Sequence, residues 1–118
     1  MSFDRLLTNL LDSVEGSLGA ILIGMDGIPV ECVNRAAALD LPLLSAEIAP
    51  FLRNAQEVSS RLNWGRVDRL SIYMEQVNLA FWSIGGEYYL GLATVPTGPF
   101  GKARSKIGGF LPEIKAEL

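Results

Sequence analysis

The residues that come nearest to a chemical motif are Thr97-Gly98-Pro99-Phe100-Gly101-Lys102-Ala103-Arg104-Ser105. The segment falls between an apolar run and a helical pattern, where phosphate-cradling loops sit. Such a loop needs four residues between its glycines, so that consecutive backbone amides wrap the phosphates. It then needs Lys followed directly by Ser or Thr to reach the metal. Here two residues separate Gly98 from Gly101, and Ala103 follows Lys102, so the motif fails at both points. Lys102, Arg104 and Lys106 crowd a helix start, where the helix dipole disfavours positive charge. Solvated surface charge accounts for them; a docking patch for an acidic partner is the sharper alternative.

Other chemistry is scarce. The chain has no histidine, which removes the commonest general base and the commonest metal ligand together. Cys32 is the single cysteine, so no internal disulfide can form, and the residue reads as a small core side chain. Asp26 is explained by turn geometry. Asp12 and Glu15 lie three apart on a helical pattern and face water. Ser105 and Lys106 are adjacent, so on a helix they diverge. No nucleophile-and-base pair and no ligand set of recognisable spacing emerges, so we expect neither an enzyme nor a bound metal or cofactor.

Composition narrows the class further. A chain of 118 residues, 49% hydrophobic and 19% charged, fits one globular domain over residues 1–118. Thirteen acidic against ten basic residues give a net charge of −3, which argues against a nucleic-acid partner. No apolar stretch reaches a membrane-spanning length, and the N-terminus lacks the pattern of a secretory leader. The expected location is the cytoplasm, with no membrane partner.

The elements follow from periodicity. Phe3, Leu6, Leu7, Leu10, Leu11 and Val14 form one helical stripe, with Ser2 placed to cap it. Leu18–Gly24 and Ile28–Val33, joined through Asp26-Gly27, predict a β-hairpin; Pro29 puts its second strand at a sheet edge. A second helix is expected from about Ser45 to Leu62, with Pro50 bending or delaying its first turn. Leu44, Ile48, Phe51, Ala55, Val58 and Leu62 recur in steps of four and three, which predicts a narrow buried seam. Glu47, Arg53, Asn54, Glu57 and Arg61 fall off that seam and should be exposed. Three strands follow: Arg66–Met74, alternating; Val77–Ile84, apolar and central; and Glu87–Val95 after a Gly85-Gly86 turn. Phe100, Ala103, Ile107, Phe110 and Ile114 mark a last helix, starting near Pro99 and weakened by Gly108-Gly109 and Pro112. The order is α-β-β-α-β-β-β-α, an α+β domain with a mostly antiparallel sheet.

Core packing explains most of the large aromatics, but Trp64 and Tyr73 flank the polar third strand. An edge strand is either blunted by charge or paired with another chain. Arg66, Asp68 and Arg69 become opposed charges if that strand pairs antiparallel with a copy of itself.

Gly16-Ser17-Leu18-Gly19-Ala20-Ile21-Leu22-Ile23 leading into Met25-Asp26-Gly27-Ile28-Pro29-Val30 resembles the signature of the roadblock/dynein light-chain domain family, including its bacterial MglB-type members. Gly101-Lys102-Ala103-Arg104 resembles the family's Gly-x-x-Arg at the start of the last helix, and the order of elements agrees along the full length. The resemblance implies a profilin-like, five-stranded antiparallel sheet with the second helix on one face and the first and last helices on the other. It implies dimerisation through the second helix and third strand, here Phe51, Ala55, Val58, Arg66, Asp68, Leu70 and Ile72. It implies adaptor work or regulation of a small Ras-like GTPase, with Glu47, Arg53, Asn54, Glu57 and Arg61 forming part of the partner platform. The MglB-type members have an extended C-terminal tail beyond the last helix, which Leu118 does not provide. The alternative reading is an assembly module that joins other roadblock subunits without a GTPase. A small-ligand sensor, the third reading, would require a deep apolar pocket.

Overall fold

The computed structural model describes residues 2–97 and 100–118, and gives the backbone alone for Phe100, Gly101, Lys102 and Arg104. The phosphate-loop comparison and the basic docking patch rest on Gly98, Pro99, Lys102 and Arg104, and so lie outside the described residues. The elements run α1 (Phe3–Ser13), β1 (Ser17–Gly24), β2 (Pro29–Asn34), α2 (Leu41–Arg61), β3 (Arg69–Tyr73), β4 (Asn78–Ile84), β5 (Tyr88–Thr94) and α3 (Phe100–Glu117). They give the expected α-β-β-α-β-β-β-α order. The five strands lie in the spatial order β2-β1-β5-β4-β3, every neighbouring pair antiparallel. No helix among the described residues is long and apolar enough to cross a membrane.

The alternation of side chains along each strand divides the core in two. Leu6, Leu7, Leu10 and Leu11 of α1 and Ile107 and Ile114 of α3 pack on Ala20, Leu22, Trp82, Leu90 and Leu92. Leu41, Ile48 and Leu52 of α2 pack on Ile21, Ile23, Leu79, Phe81 and Tyr89 on the opposite face. β4 and β5 therefore have both faces covered, which is why their sequences are largely apolar. β2 is an edge strand, as Pro29 implies, and a bulge between Leu22 and Ile23 offsets its pairing with β1.

The second helix differs from expectation at both its start and its buried side. It begins at Leu41, four residues early, because the Asp40 carboxylate caps it by accepting from the Leu43 amide at 3.1 Å, and Pro42 sits in the first turn. Pro50 thus lies inside the helix rather than at its start. The carbonyl it deprives of a donor belongs to Ala46, an exposed residue, so water can take over that bond. The buried stripe is Leu41, Ser45, Ile48, Ala49 and Leu52, whereas Phe51, Val58 and Leu62 of the expected seam are exposed.

Pro112 likewise does not interrupt α3, which runs unbroken to Glu117. The carbonyl it frees is that of exposed Gly108, so water can take over the lost bond.

Candidate functional site

β3 is the last strand of the sheet and pairs on one side only, with β4. Leu70 and Ile72 are half-buried and pack toward the α2 core, while Arg69, Ser71 and Tyr73 point to the other face and are exposed. The Ser83 amide donates to the Asp68 carbonyl at 2.8 Å, so the backbone of Asp68 faces β4. By antiparallel alternation the N–H and C=O groups of Arg69 and Ser71 face the open edge.

The exposed flank of α2 runs along the same face of the sheet. Phe51, Val58 and Leu62 are 54%, 43% and 46% exposed, and Leu44 and Ala55 in the same stripe are half-buried. The opposite flank is engaged within the subunit. Ser45 donates its hydroxyl to the Gly27 carbonyl at 2.6 Å, and the Arg53 guanidinium donates to the Met25 carbonyl. Gly27 adopts φ +85°, and a Cβ there would come within 3.2 Å of the Ala49 methyl, so only glycine lets the hairpin turn approach this closely. One side of α2 is thus fixed to the β1–β2 turn while the other shows apolar side chains beside an open strand edge. Open strand edges and exposed apolar side chains are the features from which interaction surfaces are built.

Gln56 connects the two halves of this surface. Its Oε1 accepts from the Val67 amide at 3.1 Å, and its Nε2 donates to the Val67 carbonyl at 3.2 Å and to the Tyr89 hydroxyl. The segment entering β3 is therefore bonded to the helix and, through buried Tyr89, to the centre of the sheet. Sequence reading missed Gln56, because a lone glutamine in a helix gives no pattern. Hollows lie along the edge: one of about 570 Å³ is lined by Gln56, Ser60, Asn63, Gly65 and Arg66, and another of about 480 Å³ by Met74, Glu75, Gln76 and Val77.

Glu47, Arg53, Asn54, Glu57 and Arg61 are all exposed, as their spacing predicts. Two features reduce their freedom: Arg53 holds the hairpin turn, and Arg61 pairs with Glu57 at 3.4 Å. Arg66 and Asp68 form an exposed ion pair at 3.8 Å within the subunit. Trp64 and Tyr73, singled out from the sequence, are 77% and 65% exposed, while Trp82 and Tyr89 are buried.

Among the described residues no three His, Cys, Asp or Glu side chains come together as metal ligands. Cys32 is half-buried against the α2-side core. Burial, and secondarily the neighbouring Glu31 carboxylate, push its thiol pKa up, which lowers the thiolate fraction at neutral pH.

Comparison with known proteins agrees with this fold. The chain aligns over its whole length with MglC from Myxococcus xanthus, at 34% identity, with 100% of each chain covered and a TM-score of 0.75. A Roadblock/LC7 domain from Streptomyces avermitilis superposes with a TM-score of 0.87 at 14% identity, covering 99% of this chain and 98% of that one. The gliding protein MglB from Thermus thermophilus gives 0.82 at 21% identity, covering 98% and 89%. No curated protein matches the chain. The family model for the Roadblock/LC7 domain matches residues 3–94. This chain belongs to the Roadblock/LC7 domain family.

Proposed function

We propose that the protein is a non-catalytic, cytoplasmic homodimer that binds a small Ras-like GTPase and regulates its nucleotide cycle. The observation that carries this reading is the open β3 edge lying beside the exposed apolar flank of α2. In water, Phe51, Val58 and Leu62 gain by burial. The outward groups of Arg69 and Ser71 gain by pairing, and a second copy supplies both needs around a twofold axis. Phe51, Ala55, Val58, Arg66, Asp68, Leu70 and Ile72 form that contact. The β2 edge is blunted by Pro29 and a bulge, so pairing through β3 closes at two copies rather than propagating.

The polar side of α2 then serves as the partner platform. Two copies side by side present Glu47, Arg53, Asn54, Glu57 and Arg61 twice over, a charged surface suited to a polar switch region. The family's resemblance to regulators of small GTPases motivates a GTPase as the occupant of this platform. The test is to mix the protein with a Ras-like GTPase encoded beside it, loaded with GDP or with a GTP analogue, and to measure binding and GTP turnover. Binding that depends on the nucleotide state is the expected result. Binding with unchanged turnover assigns the protein to assembly, including co-assembly with other roadblock subunits, and no complex in either state defeats the GTPase reading.

A further inference from the structure

Trp64 is the most exposed of the large hydrophobic residues among those described, at 77%, and its backbone is held by hydrogen bonds. Its amide donates to the Ser59 carbonyl at 3.0 Å, the Ser59 hydroxyl donates to the Gly65 carbonyl at 2.6 Å, and Gln56 holds Val67 just beyond. Asn63 and Gly65, on either side, both take positive φ, 58° and 89°. A non-glycine residue in that region is uncommon, and here it turns the chain sharply enough to leave the indole outside. A braced, solvated tryptophan next to exposed Leu62 has the character of a binding anchor.

A receptor for it lies at the other end of the same edge. The hollow of about 480 Å³ at the β3–β4 turn is lined by Met74, Glu75, Gln76 and Val77, and Met74 is 45% exposed. Met74 continues the alternation of Leu70 and Ile72 toward the α2 face, and Val77 packs on the α2-side core. The backbone of Trp64 is bonded to the end of α2, the helix that covers that face. The tryptophan and the hollow thus lie at opposite ends of one open edge, and a single subunit cannot bring them together.

Antiparallel self-pairing exchanges the two ends. A twofold axis near the middle of β3 (Arg69–Tyr73) brings the Trp64 end of one copy toward the Met74–Val77 end of the other. We propose that Trp64 of each copy lodges in the Met74–Val77 hollow of its mate, making two symmetric anchors outside the strand pairing itself. This rests on the β3-paired dimer of the preceding section. An indole buries about 150–250 Å². Two of them supply a large share of the roughly 1,600 Å² of a standard stable interface, which a five-residue strand and one helix flank would otherwise have to provide.

Sedimentation and tryptophan fluorescence over a dilution series test this on the intact chain. Trp82 is buried within each subunit, so its emission stays constant, and that of Trp64 should move to the blue as copies associate. Trp64→Ala should weaken self-association about 30-fold or more, as expected of a hot-spot residue. Met74→Asp should weaken it comparably. Mixing the two variants is the decisive arm. A heterodimer keeps one intact anchor, the tryptophan of the Met74→Asp chain in the hollow of the Trp64→Ala chain, so it should form in preference to either homodimer. A wild-type chain that stays monomeric removes the dimer and the anchor with it. A wild-type dimer with unmoved Trp64 emission, or variants that associate as tightly as wild type, overturns the anchor and leaves the dimer standing.

Discussion

Replacing Gln56 by Ala should destabilise the fold far more than removal of a half-exposed polar side chain ordinarily does. Gln56 makes two bonds to the Val67 backbone, at 3.1 and 3.2 Å, and a third to the Tyr89 hydroxyl. Tyr89 is fully buried, so losing its partner leaves a hydroxyl without a bond, at about 1–3 kcal/mol. The two bonds to Val67 are worth about 0.5–1.5 kcal/mol each, discounted because water can reach that half-buried segment. The sum is about 2–4 kcal/mol, a large fraction of the roughly 5–15 kcal/mol that holds a domain folded. Urea titration at fixed protein concentration measures it as a lowered midpoint at constant m value. Tyr89→Phe is the control: it removes the hydroxyl and leaves both Val67 bonds, so it should cost about 1 kcal/mol. The double variant should cost less than the two single changes added, because a phenyl ring at that position no longer needs a partner. If Gln56→Ala stays within about 0.5 kcal/mol of wild type, the assignment of Gln56 as the tie between helix, edge strand and sheet centre is wrong.

Three further outcomes follow from the packing and the titration. Gly91→Ala should lower stability by about 1–3 kcal/mol in a urea titration, since a Cβ there would meet Phe81 Cε1 at 2.7 Å and Ile21 Cγ2 at 2.9 Å in a filled core. Ser45→Ala, which leaves the Gly27 carbonyl without its 2.6 Å donor, should cost about 1–2 kcal/mol and speed amide exchange in the β1–β2 turn. Cys32 should react slowly with thiol reagents at neutral pH, because its folded-state pKa is raised. The same shift has a stability consequence: the unfolded chain releases the thiol proton first, so stability should decline as pH rises past about 8.5, and Cys32→Ser should flatten that decline.

The element order was legible in the sequence because each signal was local. The Asp26-Gly27 turn, the Pro29 edge and the largely apolar runs of β4 and β5 need no knowledge of distant residues. The buried side of α2 was not legible. Two apolar stripes run along that helix, one through Leu41, Ile48 and Leu52 and the other through Phe51, Val58 and Leu62. Periodicity ranks them by apolar spacing alone, and so favoured the longer one. What decides between them is Ser45, a polar residue fully buried because the Gly27 carbonyl takes its hydroxyl, which rotates the helix toward the hairpin. The seam so displaced became the most informative surface of the molecule. The role of Gln56 was invisible for the same reason: its bonds to Val67 and Tyr89 form only once the helix lies over the sheet.

The mass of the chain in solution, measured for wild type and for Ser71→Pro, tests the β3-paired dimer most directly. The Ser71 amide faces the open edge and makes no bond to β4, so proline there removes a donor needed for pairing between subunits while sparing the subunit's own ladder. At micromolar concentration wild type should sediment at twice the 12.8 kDa chain mass, and Ser71→Pro should sediment as a single chain with an unchanged circular dichroism spectrum. A wild-type chain found at 12.8 kDa throughout, or a Ser71→Pro variant that still doubles, would contradict the pairing of the third strand.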